Sequence, residues 1–153
     1  MGLRGENGTS SRDSTTGSEL HRTRFGAYFP RVFAFAHSLT SDETAAKEAA
    51  VEAFGRVFAQ RGDLTEEEFV VLLFASVRDH CRATRSTGKS SDELNRTERE
   101  LLALLFDARL NRAVIRKLMQ TTEQAISVTL LGALRKIRSE LSPATADRSS
   151  RIA

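Results

Sequence analysis

The chain has 153 residues, of which 40% are hydrophobic, and 23 Lys and Arg residues stand against 20 Asp and Glu residues. This length suits one ordinary domain or two small ones, and no apolar run is long enough to span a membrane. The N-terminus lacks the apolar middle of a secretory signal, and the single cysteine, Cys81, cannot form an internal disulfide, so we expect a cytoplasmic protein.

Breaks in composition divide the chain. Residues 1–22 are rich in Gly, Ser, Thr and Arg and predict a disordered tail. The polar stretch STGKSS opens a predicted flexible linker over residues 86–93, and Pro143 opens a second disordered tail over residues 142–153. Two small helical units are therefore predicted, over residues 23–85 and 94–141.

Helix starts recur between these breaks, and strand alternation does not occur. A Thr followed three residues later by Glu or Gln allows a reciprocal hydrogen-bonded cap, in which the hydroxyl accepts a backbone N–H and the acid or amide reaches back. This pattern occurs at Thr40, Thr65, Thr97 and Thr121. Each pattern opens an apolar run with helical spacing, so the sequence predicts an all-α fold.

The last predicted unit contains a helical hairpin over residues 110–138. Asn111 is expected to cap the first helix, and Thr121 or Thr122 the second. The expected buried residues are Val114, Ile115 and Leu118 on the first helix, and Ile126, Leu130, Ala133, Leu134, Ile137 and Leu141 on the second. Two helices joined by three or four residues form a helix-turn-helix, although a plain structural hairpin has the same pattern.

Positive charge is concentrated in this part of the chain. Residues 110–153 contain 8 basic and 3 acidic residues, a net of +5, whereas residues 1–109 contain 15 basic and 17 acidic residues, a net of −2. The asymmetry is typical of a segment that binds a polyanion. A solvated C-terminal tail accounts for it equally well.

The order of these segments resembles that of bacterial RNA polymerase sigma factors of the extracytoplasmic-function group, within the sigma-70 family. The stretch YFPRVFAFAHSLTSDETAAKEAAVEAFGRVF is similar to the family's region 2, and FVVLLFASVRDHCRATR is similar to its minus-ten segment. The stretch from LNRTERELLALL to LGALRKIRSEL resembles region 4, the minus-thirty-five reader. The resemblance covers roughly residues 25–141.

The resemblance implies a protein that binds core RNA polymerase and directs it to promoter DNA. Polymerase binding falls on the helix over residues 42–60, with Glu48, Glu52 and Phe54 as the site residues. Promoter DNA would meet two sets of side chains. A phosphate-binding ridge is formed by Arg78, Arg82 and Arg85, and the hairpin contributes Arg112, Arg116, Lys117, Thr122, Gln124, Ser127, Val128, Arg135 and Arg138.

The hairpin residues suit different parts of a DNA duplex. Gln124 can bond bidentately to adenine, and Val128 can touch a thymine methyl group. The arginines can hold phosphates, which position a protein on DNA. However, Ser127 and Thr129 stand where the family carries cations, and Leu72 and Asp79 stand where it has Trp and Asn. The alternative is therefore a sigma-like interaction module that binds an anti-sigma factor or polymerase without reading promoters.

No pattern indicates an enzyme. Glu48 and Glu52 lie four residues apart, but no His or Cys cluster accompanies them, so an exposed docking or solvated surface is the better interpretation. His80 and Cys81 are adjacent and would point about 100° apart on a helix, which favours a half-buried pair over a metal site. We expect no cofactor, no metal and no small-molecule substrate.

Overall fold

A computed structural model describes residues 10–60, 62–83 and 94–141, with side chains described from Gly17 onward. The described residues are helical, as the sequence predicts, and contain no strand. The elements are α1 (Ser10–Thr40), α2 (Glu43–Phe58), α3 (Glu66–Ala83), α4 (Arg96–Leu102), a π-helical segment (Ala103–Asp107), α5 (Arg112–Met119) and α6 (Glu123–Leu141). The predicted linker over residues 86–93, the tail over residues 142–153 and Arg85 lie outside the described residues.

Helix α1 begins thirteen residues before the predicted N-terminal unit, because the part of the expected tail from Ser10 onward is helical. The ring of His21 stacks on Phe58 of α2 with centroids 4.3 Å apart, and this contact anchors the early turns. Pro30 lies inside the helix and not at its start. A proline removes one backbone donor and crowds the carbonyl four residues earlier, which here belongs to Gly26.

Side chains cap several helix starts, but only one of the four predicted pairs forms both hydrogen bonds of a capping box. Thr65 and Glu68 form the reciprocal pair, with N···O distances of 2.9 and 3.2 Å. At the start of α2 the cap is Asp42, and at the start of α4 it is Asn95, which pairs with Glu98. Thr122 accepts from the backbone N–H of Ala125 at 3.1 Å.

Three junctions between helices use a residue with a left-handed backbone: Ser41 before α2, Arg109 before α5 and Gln120 before α6. Residues other than glycine rarely adopt this conformation, and here it allows the chain to turn between consecutive helices. Arg31 of α1 supports the second junction, because its guanidinium donates to the carbonyls of Ala108 (2.7 Å) and Arg109 (3.0 Å). The tight turns set the directions of α2, α5 and α6.

The helices on either side of residues 84–93 share one hydrophobic core. Its buried side chains run from Val32 of α1 to Ile126 of α6, with Phe35, Phe74 and Leu104 fully enclosed. Helix α3 packs on α5, α1 packs on the π-helical segment, and α4 packs on α6. The two predicted units are therefore in direct contact in this structure.

Candidate nucleic-acid interface

Helix α5 is placed by its cap and its buried face. The Asn111 side chain accepts from the N–H of Val114 at 2.9 Å, as the sequence predicts. Val114, Ile115 and Leu118 are buried, which confirms the predicted inner face. The opposite face of the helix is exposed and carries Arg112, Arg116 and Lys117.

Helix α6 packs through a narrower stripe than predicted. Ile126 and Ala133 are buried and Leu130 and Ile137 are partly buried, but Leu134 is 45% exposed and Leu141 is 70% exposed. The prediction that Leu134 and Leu141 are core residues is wrong. For Leu141 the reason is length, since it is the last residue of α6, which has 19 residues whereas α4 and α5, against which it packs, have 7 and 8.

The face of α6 opposite Ile126 and Ala133 is the face predicted to read DNA. Gln124, Val128, Leu131, Arg135 and Arg138 are all exposed, with Val128 at 64% and Leu131 at 54%. Among the described residues, the side chains of Gln124, Arg135 and Arg138 form no hydrogen bond or ion pair. We call these five residues the outer face of α6. It offers two cations, one amide and two apolar side chains to a partner.

A cation from α5 lies beside this face. Arg112 donates to the Ser127 hydroxyl at 3.2 Å. Ser127 occupies one of the positions where a basic residue was expected, so the guanidinium of the preceding helix brings positive charge to that position. Sequence reasoning assigned both residues to the interface but did not foresee their contact, because they lie 15 positions apart.

Two other basic residues of the hairpin are already paired. Lys117 of α5 forms an ion pair with Glu67 of α3, although both side chains remain about half exposed. Lys136 lies 2.9 Å from the buried Glu98 and points toward α4. The exposed arginines Arg112, Arg116, Arg135 and Arg138 therefore carry the positive surface of the hairpin.

Of the predicted phosphate-binding ridge, Arg78 and Arg82 contact Glu100 in this structure, although Arg82 remains exposed, and Arg85 lies outside the described residues. Arg82 donates from two nitrogens to the two carboxylate oxygens of Glu100, at 3.1 and 3.0 Å. Arg78 is mostly buried, lies 3.9 Å from the same carboxylate and donates weakly to the carbonyl of Leu118. Arg96 completes the group at 3.5 Å. Arg78 and Arg82 are thus structural partners of Glu100, which is only 2% exposed.

The predicted polymerase-binding residues on α2 have different environments. Glu48 is exposed, and next to it Val51 is 62% exposed. Glu52 is partly engaged, because its two oxygens pair with Arg56 at 2.7 Å and with His80 at 2.8 Å. Phe54, predicted as a third contact residue, is only 2% exposed, so its side chain lies in the core and not on the surface of α2 in this structure. It packs against the rings of Phe25, Phe29 and Phe58.

Cys81 lies next to His80 at the end of α3 and is 8% exposed. Burial, aided by the negative charge of Glu100, raises the pKa of its thiol to about 11. The thiolate is therefore scarce near neutral pH, which makes the side chain a weak nucleophile. Within the described residues, no group of three or more His, Cys, Asp or Glu side chains is placed to hold a metal ion.

Comparison with known proteins gives no relative. No protein-family model matches the chain, and neither the curated proteins nor the solved structures contain a match. Among the described helices, none combines the length and the apolar character needed to cross a membrane. The functional argument therefore depends on the geometry of the surfaces described above.

Proposed function

We propose that this protein is a sigma factor-like transcription initiation protein of the cytoplasm, which binds core RNA polymerase and directs it to promoter DNA. The observation that carries the proposal is the outer face of α6. An amide, a small apolar side chain and two arginines project from one exposed helix face, opposite the stripe that holds the helix on the core. These are the side-chain types that contact base edges and phosphates in a major groove.

In this proposal α5 and α6 act as a helix-turn-helix. Gln124 bonds to an adenine edge, and Val128 contacts a thymine methyl group. Arg116, Arg135 and Arg138 bind phosphates, and Arg112, held beside Ser127, supplies charge at the start of the reading helix. The turn over residues 120–122 is short, which suits the motif.

The proposal assigns polymerase docking to the exposed face of α2. Glu48, Val51 and the exposed side of Glu52 form a mixed acidic and apolar surface. Phe54 supports this surface from below by packing in the aromatic cluster. A docking role without catalysis is consistent with the contacts to Arg56 and His80 that already engage Glu52.

The proposal also predicts that the halves act as two units joined through residues 86–93. Contact of Arg78 and Arg82 with a DNA strand requires their release from Glu100, which belongs to the second half. Polymerase binding would supply the free energy for that separation. Promoter opening by the first half and duplex reading by the second would then be coupled to docking.

Duplex binding measured against salt concentration tests the reading face. Each phosphate contact contributes about −0.9 to the slope of log affinity against log salt, so Arg135→Ala should reduce the steepness by about one unit and weaken all duplexes alike. Gln124→Ala should leave the slope unchanged, and it should reduce the difference in binding free energy between preferred and other sequences by about 1–3 kcal/mol. Arg56→Ala on α2 is the matched control, since that arginine is exposed but lies on another helix.

Run-off transcription with core polymerase over a promoter library tests the whole function. The proposal requires promoter-specific transcripts that depend on the added protein and are lost in the Arg135→Ala/Arg138→Ala variant. Absence of duplex binding by the parent protein at low salt would refute promoter reading.

A second candidate, a sigma-like module that binds an anti-sigma factor or polymerase only, is favoured by one observation. Val128 and Leu131 are each more than half exposed and lie side by side on the outer face of α6. Adjacent exposed apolar side chains are typical of a protein contact. Changing both to Lys should then abolish a partner complex while it strengthens non-specific DNA binding. Loss of DNA binding on this change would instead support direct reading by Val128.

A further inference from the structure

A cavity of about 60 Å³ lies between the end of α3 and the start of α4. Its walls carry four arginines and one glutamate, together with two leucines and Cys81. The space exceeds what one water molecule needs several-fold. The residues involved are Leu39, Arg78, Cys81, Arg82, Leu94, Arg96, Arg99 and Glu100.

Among the described residues that line this cavity, hydrogen-bond donors outnumber acceptors. A carboxylate offers about four acceptor positions, whereas each guanidinium carries about five N–H donors. Glu100 faces Arg78, Arg82 and Arg96, with N···O distances of 3.9, 3.0 and 3.5 Å. Two of these arginines are about 40% exposed and can use water for their remaining donors.

Arg78 has much less access to water, because its side chain is only 17% exposed. Among the described residues its Nε is buried and has no hydrogen-bond acceptor, and its other donor contact, to the Leu118 carbonyl, is long at 3.4 Å. A buried donor without an acceptor destabilises the fold, so an acceptor brought to this position stabilises it.

We propose that this cavity binds a single oxyanion of the phosphate class. Such an ion offers several acceptor oxygens and negative charge to a site where the guanidinium groups of Arg78, Arg82 and Arg96 face the carboxylate of Glu100. Arginine binds phosphate oxygens through charge-assisted hydrogen bonds. Because Arg78 and Arg82 belong to α3, and Arg96 and Arg99 to α4, the bound ion bridges the two halves and stabilises their contact. The site does not depend on the proposed transcription function.

Thermal unfolding of the full chain in sodium phosphate, with sodium chloride used to hold ionic strength constant, tests the site. Specific binding raises Tm as the logarithm of phosphate concentration above the dissociation constant. General salting-out by phosphate instead raises Tm without such a dependence and does not require particular arginines. We expect a logarithmic rise of several degrees for the parent protein.

Substitutions distinguish specific phosphate binding in the cavity from general ionic effects. Arg96→Gln and Arg99→Gln should each weaken phosphate binding about tenfold, the loss expected for one charge-assisted hydrogen bond. Arg56→Gln is the matched control, because Arg56 forms an i,i+4 ion pair with Glu52 just as Arg96 does with Glu100. It should leave phosphate binding unchanged.

Equal Tm in phosphate and chloride would overturn the proposal, as would equal phosphate responses of the parent and both cavity variants. Two sources of the oxyanion are distinguished by repeating the titration with a short single-stranded oligonucleotide that lacks terminal phosphates. If the oligonucleotide competes with phosphate for the parent protein but not for Arg96→Gln, the site binds a nucleic-acid backbone phosphate. Phosphate binding without competition assigns it to the free ion.

Discussion

Neutralising Glu100 is the most informative single change to the fold. Glu100 is 2% exposed and is the shared partner of Arg78, Arg82 and Arg96, which approach from both sides of residues 84–93. Glu100→Gln keeps the size of the side chain but removes its charge and one acceptor oxygen. Three guanidinium groups then face each other with no carboxylate between them.

The magnitude follows from burial. Breaking a buried ion pair by removing one partner costs about 3–5 kcal/mol, because the other charge is left uncompensated. Arg82 and Arg96 are about 40% exposed and regain water, so the lower end, about 3 kcal/mol, applies. Domains of this size are stable by about 5–15 kcal/mol, which makes this a large fraction of the total. The corresponding drop in Tm is about 6–12 °C.

Urea unfolding followed by far-UV circular dichroism measures this loss directly. Glu67→Gln is the matched control, because the Glu67–Lys117 pair also joins the two halves but is about half exposed on both sides. An exposed pair of this kind contributes less than about 1 kcal/mol. If Glu100→Gln costs no more than Glu67→Gln, the arginine cluster does not hold the halves together, and the reasoning from burial fails.

Three further changes test other parts of the structure. Reversing Glu48 and Glu52 to Lys should weaken capture of core polymerase in a pull-down while helical content stays unchanged, and retention at the parental level would place docking elsewhere. Asn95→Ala removes the cap of α4 and should lower the free energy of unfolding in urea by about 1 kcal/mol. An unchanged free energy of unfolding would argue against the capping box. Because the pKa of Cys81 is raised from 9 to about 11, its contribution to the free energy of unfolding is complete below pH 9 and is lost as the pH rises through about 11. Cys81→Ala should therefore flatten the alkaline fall in stability measured between those limits, and an unchanged fall would assign it to other groups.

Features that depend on near neighbours in the chain could be predicted from the sequence alone. Helical spacing of apolar residues identified the buried face of α5, and the Thr65–Glu68 box marked the start of α3. The outer face of α6 also followed from periodicity, since a helix held by Ile126 and Ala133 must expose Val128 and Arg135. Each of these features is fixed by side chains within about one or two helical turns.

Residues that meet from distant parts of the chain were decided only by the tertiary structure. Arg78 and Arg82 have the spacing of a phosphate-binding ridge, but their partner Glu100 lies about twenty residues further along the chain, and no local pattern shows that it is buried between them. The contact of Arg112 with Ser127 and the burial of Phe54 have the same origin. Periodicity tells which side chains share a helix face, whereas long-range packing decides whether that face meets solvent, an ion pair or the aromatic core.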